Sequence, residues 1–281
     1  MNNKNNVWVE RYRPKQFDDI VLETINKKLF KNMLDKNYFP NILMYGPPGT
    51  GKTTTVINLI NEYQTRNKQQ NKGNIIHLNA SDERGIDIIR NQILQFVKSK
   101  NFFDNGLKFI VLDEVDYMTK NAQQALKYLL QSSCYNVRFC LICNYISKID
   151  ESLKNEFICV RFNQLPKQDI YKFIKNITIN ENLELSDSVI DTIQTNYNSD
   201  IRSMINFIQL NQNVKIWETN IITNIELDKI HTFLLDVSDN SNEILKYIHD
   251  ISIQFNKDKK CIIKSYFNHV IRNKPGLVSS R

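Results

Sequence analysis

The stretch from Gly46 to Thr53 reads G-P-P-G-T-G-K-T and satisfies the pattern G-x-x-x-x-G-K-[ST] at every fixed position. Glycines let successive backbone N–H groups curl toward one anion, and the helix that follows adds the positive end of its dipole. Phosphate binding is therefore assigned to Gly46, Pro47, Pro48, Gly49, Thr50, Gly51, Lys52, Thr53 and Thr54. Lys52 reaches the outer phosphates, and Thr53 offers its hydroxyl to Mg2+. A second stretch, F-I-V-L-D-E-V-D from Phe109 to Asp116, supplies the acidic half. Four apolar residues form a buried strand whose carboxyl end presents Asp113, the place where open α/β sheets hold ligands. Asp113 positions the metal with Thr53, while Glu114 orients and polarises the attacking water. Together these residues specify a magnesium-dependent nucleotide hydrolase site.

Such a site needs a sheet to aim it. Up to about Phe162 short apolar runs alternate with amphipathic ones. The strands are read at Ile42–Tyr45, Ile75–Leu78, Phe109–Leu112, Phe139–Cys143 and Ile158–Arg161. Helices are read at Lys52–Tyr63, Ile86–Lys98 and Asn121–Gln131, which predicts an α/β fold with a parallel sheet covered on both faces. Arg66–Asn74 reads as a polar surface loop. After Leu165-Pro166 the pattern turns helical, with helices at Lys167–Asn180, Ser186–Thr195, Asp200–Asn211, Asn242–Ile253 and Lys259–Ile271. Ser186 and Asp187 are the caps expected for the second of these.

The bulk properties exclude other classes. No apolar run among the 281 residues approaches the roughly 20 that a membrane span needs, so no membrane partner is expected. Residues 1–6 are polar and lack the apolar core of a signal peptide. A formal charge of +7 permits an anionic partner without proving one. The five cysteines, Cys134, Cys140, Cys143, Cys159 and Cys261, are an odd number in an unsecreted chain and read as reduced thiols. Cys140 and Cys143 form a C-x-x-C, but in a strand residues three apart face opposite ways, so core packing is expected rather than metal or redox chemistry.

G-P-P-G-T-G-K-T with D-E-x-D resembles the AAA+ ATPases, and three more stretches narrow the resemblance. V-W-V-E-R-Y-R-P (Val7–Pro14), N-A-S-D-E-R-G-I-D-I-I-R (Asn79–Arg90) and M-T-K-N-A-Q-Q-A-L (Met118–Leu126) are similar to replication factor C small subunits, the sliding-clamp loaders. The resemblance implies ATP and Mg2+ as cofactors and a Rossmann-like P-loop ATPase domain over residues 1–162. A small helical lid over 163–224 and a short all-helical collar segment over 225–281 would follow. It places Tyr12, Arg13 and Pro14 around the adenine, and it makes Asn144 a first sensor of the γ-phosphate. Arg202, in S-D-I-R-S-M-I-N, becomes a second sensor leaning on the same phosphate, with Ser199 where the family usually has glycine. Catalysis is thus expected from Lys52, Asp113, Glu114, Asn144 and Arg202.

The implied partners are sibling subunits in a ring, a sliding clamp, and primer–template DNA held by its phosphates. Taken alone, Arg84, Arg90 and Lys148 are best read as solvated surface cations; the resemblance reassigns them to the DNA channel. Gln92–Phe103 is the candidate clamp contact, although its apolar spacing fits core packing. The implied location is intracellular, in a nucleus or another DNA-replication compartment, a viral one included. One departure stands out. Where the family carries Ser-Arg-Cys, this chain has Asn155, Glu156 and Phe157, which removes the arginine that completes a neighbour's site. Alternative readings are another AAA+ DNA motor, such as a branch-migration ATPase, or a mainly structural ring subunit.

Overall fold

The five apolar runs assemble into one parallel sheet of strands β1 (Ile42–Tyr45), β2 (Ile75–Asn79), β3 (Lys108–Asp113), β4 (Val137–Cys143) and β5 (Ile158–Arg161), in the order β2-β3-β4-β1-β5. The computed structural model describes residues 7–69, 71–81, 86–99, 106–132, 136–213, 217, 222, 224–235, 241–255 and 258–274. Two strands keep the bounds expected from sequence; β2 gains Asn79, β3 gains Lys108 and Asp113, and β4 gains Val137 and Arg138, where the ladder runs past the apolar stretch read from sequence. The order matters for function. Strand β1 lies beside β4 with Tyr45 opposite Cys143, and β4 lies beside β3 with Leu112 opposite Leu141. The carboxyl ends of β1, β3 and β4 are therefore neighbours, although long stretches of chain separate them.

Alternation along the strands sorts side chains to two faces. Ile42, Met44, Phe109, Val111, Cys140 and Ile142 join one core with Phe30, Val56, Leu59 and Ile60. Leu43, Ile110, Leu112, Phe139, Leu141 and Cys143 join the opposite core with Ile93, Leu126 and Leu153. Cys140 and Cys143 thus pack into different cores, as the strand reading requires. Helices α2 (Thr24–Asp35) and α3 (Lys52–Arg66) cover the first face. Helices α4 (Ile86–Lys98), α5 (Lys120–Ser132) and α6 (Glu151–Lys154) cover the second, and a short α1 (Trp8–Arg11) precedes them all. Helix α2 was not expected. Its apolar residues are diluted by lysine and asparagine, yet Phe30 is fully buried and Met33 and Leu34 pack beside it.

From Pro166 onward every described element is helical: α7 (Lys167–Asn180), α8 (Asp187–Tyr197), α9 (Ile201–Leu210), α10 (Asn224–Leu235), α11 (Ser241–Gln254) and α12 (Lys259–Asn273). Two compact units emerge. The first comprises Met1–Phe173 with Ser199–Asn206, and the second Ile174–Asn198 with Phe207–Arg281. Within the second, α10, α11 and α12 pack around Leu227, Ile230, Ile251, Phe255 and Ile262. Asp258 caps α12 through the Lys260 N–H at 3.2 Å. Ser186 does hold the N-cap position of α8, but its side chain makes no capping hydrogen bond, so the expected cap contact is absent.

Candidate nucleotide site

Strand β1 ends at Tyr45, and the chain turns through Gly46–Gly51 into α3. Gly51 is the N-cap of α3 in the left-handed region, φ 85°, with no side chain closing the first turn. A Cβ built there would meet nothing within 4 Å. The first N–H groups of any helix have no partner within it, and no side chain caps those of α3, so they can serve an anion. Gly49 is constrained differently: φ is +73°, and a Cβ there would lie 1.8 Å from Asp200 Oδ1. The loop and the start of α9 touch at this glycine, within the first unit.

Lys52 is buried and donates to Gly46 O at 2.7 Å, Pro47 O at 2.8 Å and Asn144 Oδ1 at 3.0 Å. Burial lowers its pKa from the ordinary lysine value, and the nearby Asp113 carboxylate acts against that shift. The bond to Asn144 joins the loop after β1 to the end of β4. Thr53 Oγ1 donates to Asp113 Oδ2 at 2.8 Å, which joins the first turn of α3 to the end of β3. The other Asp113 oxygen accepts the Glu114 N–H at 2.9 Å. Glu114 itself is left-handed, φ 57° and ψ 36°, a turn that starts the 3-10 segment Val115–Tyr117. A hydroxyl and a carboxylate in direct contact are hard oxygen donors and fit Mg2+, which takes few protein ligands beside substrate phosphates.

A cavity of about 250 Å3 runs from these groups to the chain's N-terminal segment. Tyr12, Arg13 and Pro14 line it with Pro48–Thr54, Asp113, Glu114, Asn144 and Arg202. Arg13 Nε donates to Thr54 Oγ1 at 3.2 Å, and Asn58 Nδ2 donates to Pro14 O at 3.0 Å, so α3 holds the N-terminal segment against the loop. Arg202 sits in the first turn of α9. Ser199, in place of the usual glycine, is buried and accepts the Leu165 N–H at 2.8 Å. Asp200 accepts Ser203 N at 3.0 Å and caps α9.

Other residues matter here that sequence reading passed over. Gln123 is buried; its amide donates to Met118 O at 3.2 Å and Lys148 O at 3.1 Å and accepts Asp150 N at 2.7 Å. It ties the start of α5 to the loop after Asn144. Asp116 is buried and accepts the Tyr145 N–H at 3.3 Å, and its other oxygen has no hydrogen-bond partner among the described residues. His77 Nε2 lies 4.0 Å from Asp113 Oδ2. His77 has no motif to announce it; Asp116 closes the D-E-x-D stretch and Gln123 lies within M-T-K-N-A-Q-Q-A-L, but neither stretch assigned them a role.

The cations assigned to DNA fare unevenly. Arg84 lies outside the described residues, as does the side chain of Arg90 in α4; Lys148 is exposed at the end of the 3-10 turn Ile146–Lys148. In the candidate clamp contact, Ile93 is buried and Phe96 and Val97 pack against the core, while Phe102 and Phe103 lie outside the described residues. At the missing-arginine position Glu156 is exposed and accepts from Gln131 Nε2 at 3.2 Å, and Phe157 is buried. Lys154 pairs with Glu151 at 2.8 Å. Among the described residues no group of three or more His, Cys, Asp or Glu could hold a metal, and no helix is long and apolar enough to cross a membrane. Burial pushes the Cys140 and Cys143 thiols up to about 12.

This sheet order, the loop over α3 and the Asp113–Glu114 pair define an ATPase domain of the AAA type. Residues 42–164 match the family described as "ATPase family associated with various cellular activities (AAA)". Within that class the chain is a homologue of the replication factor C small subunits. It is 37% identical over 206 residues to replication factor C subunit 3 of Saccharomyces cerevisiae, covering 73% of this chain and 60% of that protein. To the replication factor C small subunit of Sulfolobus acidocaldarius it is 41% identical over 204 residues, covering 72% and 62%. To replication factor C subunit 5 of Mus musculus it is 35% identical over 207 residues, covering 73% and 60%. The chain thus spans about 60% of the length of these relatives. They come from cellular organisms and lend no support to a viral location. A solved Thermotoga maritima structure titled as the RuvB Holliday junction branch migration motor shares the fold, with a TM-score of 0.57 at 16% identity, covering 93% of this chain and 91% of that one.

Proposed function

We propose that this chain is an ATP-binding and ATP-hydrolysing subunit of a clamp loader, acting with Mg2+ inside a hetero-oligomeric ring. One observation carries the reading: Lys52, Thr53, Asp113, Glu114 and Asn144, from three separate loops, converge on one cavity beside an open helix N-terminus. Thr53 and Asp113 would hold the metal, which neutralises phosphate charge when bound. Lys52 exchanges its carbonyl partners for phosphate oxygens, and its bond to Asn144 lets the end of β4 sense that exchange. Glu114, presented by its left-handed turn, orients and polarises water for attack in line with the leaving group. Arg202 adds positive charge from α9, so occupancy can bias the angle of the helical segment that follows. ATP then serves as a conformational switch: its presence favours a ring shape that grips clamp and primer–template DNA, and hydrolysis releases them.

The relatives' names support a role in DNA replication, and hence in a nuclear or other intracellular replication compartment. The domain division at 162 and 224 belongs to the same proposal; the change from strand–helix alternation to helices alone supports the first of these boundaries. The test is ATPase activity of the chain assembled with candidate sibling subunits, with and without clamp and primed DNA. Strong stimulation that needs both establishes a loader; activity on branched DNA alone favours a branch-migration motor. A folded assembly with no affinity for ATP overturns the reading.

A second reading, a mainly structural subunit, draws on Glu156. A carboxylate presented to a neighbour's triphosphate repels it, whereas an arginine finger contributes roughly 10³–10⁵ in rate. Glu156→Arg in the assembled ring should raise ATPase at the adjoining subunit by at least tenfold. No rise means that the finger of this chain faces no active site.

A further inference from the structure

The surface just outside the nucleotide cavity carries a cluster that ATP chemistry does not use. Tyr117 closes the 3-10 turn after Glu114, Tyr145 directly follows Asn144, and Lys148 ends the next 3-10 turn. Lys148 Nζ lies 5.2 Å from the centroid of each tyrosine ring, within cation–π range of both. The rings nevertheless stay open to solvent, 60% exposed for Tyr117 and 59% for Tyr145. Lys148 makes no ion pair among the described residues, so its ammonium lacks a counter-anion there.

The backbone beneath this cluster is pinned. Tyr117 N donates to Glu114 O at 3.0 Å, Tyr145 N donates to Asp116 Oδ2 at 3.3 Å, and Lys148 O accepts from Gln123 Nε2 at 3.1 Å. Three side chains that reach into solvent are thus mounted on a fixed base, which lowers the ordering cost of binding. A lone lysine would suit any phosphate. Two exposed aromatic faces beside it favour a partner with both phosphates and free π-faces, which duplex DNA, its bases stacked inside, does not offer.

We propose that Tyr117, Tyr145 and Lys148 form a platform for an unpaired stretch of single-stranded DNA. The ammonium takes a backbone phosphate, and one or both tyrosine rings stack with an adjacent base. The proposal rests on the DNA-binding reading above and extends it from duplex phosphates to unpaired bases. It also places that contact on the two loops that carry Glu114 and Asn144.

The test uses the full chain with a fluorescent oligodeoxythymidine and a blunt duplex of equal length, titrated by anisotropy at several salt concentrations. Tyr117→Ala with Tyr145→Ala should weaken oligodeoxythymidine binding about tenfold or more and change duplex binding less than about twofold. The pair Tyr117→Phe with Tyr145→Phe keeps the rings and should bind as the unmodified chain does. Lys148→Ala should weaken both and reduce the single-strand salt slope by about 0.7. Affinity for a fluorescent ATP analogue reports that each variant is folded, and the single substitution Tyr117→Ala serves if the double variant is not. Equal losses on both DNAs in Tyr117→Ala with Tyr145→Ala, no loss in that pair, or a loss in the phenylalanine pair overturns the platform while leaving DNA binding intact. An unmodified chain that binds neither DNA overturns both.

Discussion

Gly49→Ala tests the coupling between the phosphate loop and α9 more sharply than any catalytic substitution. The added methyl meets two separate penalties. At φ +73° an L-residue is held in the left-handed region, which costs about 1–2 kcal/mol. The new Cβ also stands 1.8 Å from Asp200 Oδ1 and 2.4 Å from Asp200 Cγ, so that carboxylate must swing away. Asp200 caps α9 through Ser203 N, and a lost cap costs about 0.5–2 kcal/mol. The sum is a destabilisation of about 1.5–4 kcal/mol. Asp200→Ala alone should cost only the cap, about 0.5–2 kcal/mol. In the Gly49→Ala background, however, the same change should cost almost nothing, because the cap has already been displaced. The assay is urea unfolding of the unmodified chain, both single variants and the double variant, followed by circular dichroism. Fully additive costs, or a Gly49→Ala variant within about 0.5 kcal/mol of the unmodified chain, would refute the contact on which this reasoning depends.

Lys52→Ala should weaken ATP binding at least about tenfold, since a charge-assisted contact to phosphate is worth roughly 1.5–3 kcal/mol, measured with a fluorescent ATP analogue. Glu114→Gln should retain that affinity but lose about 10²–10⁴ in turnover of the assembled ring, read by phosphate release. In the second unit Asp228 bonds Lys274 at 2.9 Å and His269 at 3.1 Å, and chiefly the Lys274 bond holds its carboxyl below the usual carboxylate value. That stabilisation is present above about pH 4, where the unfolded-state carboxyl is also ionised, and is lost as pH falls through the depressed folded value. Asp228→Asn should therefore lower the urea midpoint at pH 7 and flatten its decline below pH 4. Native chain treated with iodoacetamide at pH 8 should alkylate Cys261 while sparing Cys140 and Cys143, whose thiols stay protonated; mass spectrometry of the two strand cysteines decides it.

The candidate site was legible in sequence because its motifs are local. A glycine-rich loop needs a strand before it and a helix after it, and G-P-P-G-T-G-K-T sits between Ile42–Tyr45 and the helix beginning at Lys52. The strands were legible because a parallel sheet covered on both faces demands uninterrupted apolar runs. Helix α2 escaped notice because only Leu29, Phe30, Met33 and Leu34 face the core, among polar neighbours, and Ile25 points to solvent. Gln123 and Asp116 escaped because a buried polar residue reveals its purpose only through partners distant in sequence.

Residue type and spacing alone led to the expectation of a nucleotide phosphate site with a divalent cation and determined that the chain switches from strand–helix alternation to helices after Phe162; the family resemblance added that Glu156 stands where an arginine is expected. Tertiary structure alone decided which residues meet. Strand order β2-β3-β4-β1-β5 brings Asn144 to Lys52 and Asp113 to Thr53, pairs separated by 92 and 60 positions. It likewise set Gly49 against Asp200 and Lys148 between two tyrosines. The reason is that hydrogen-bonded register between strands is a property of the folded sheet, and a local motif carries no information about which strand end will lie beside its own.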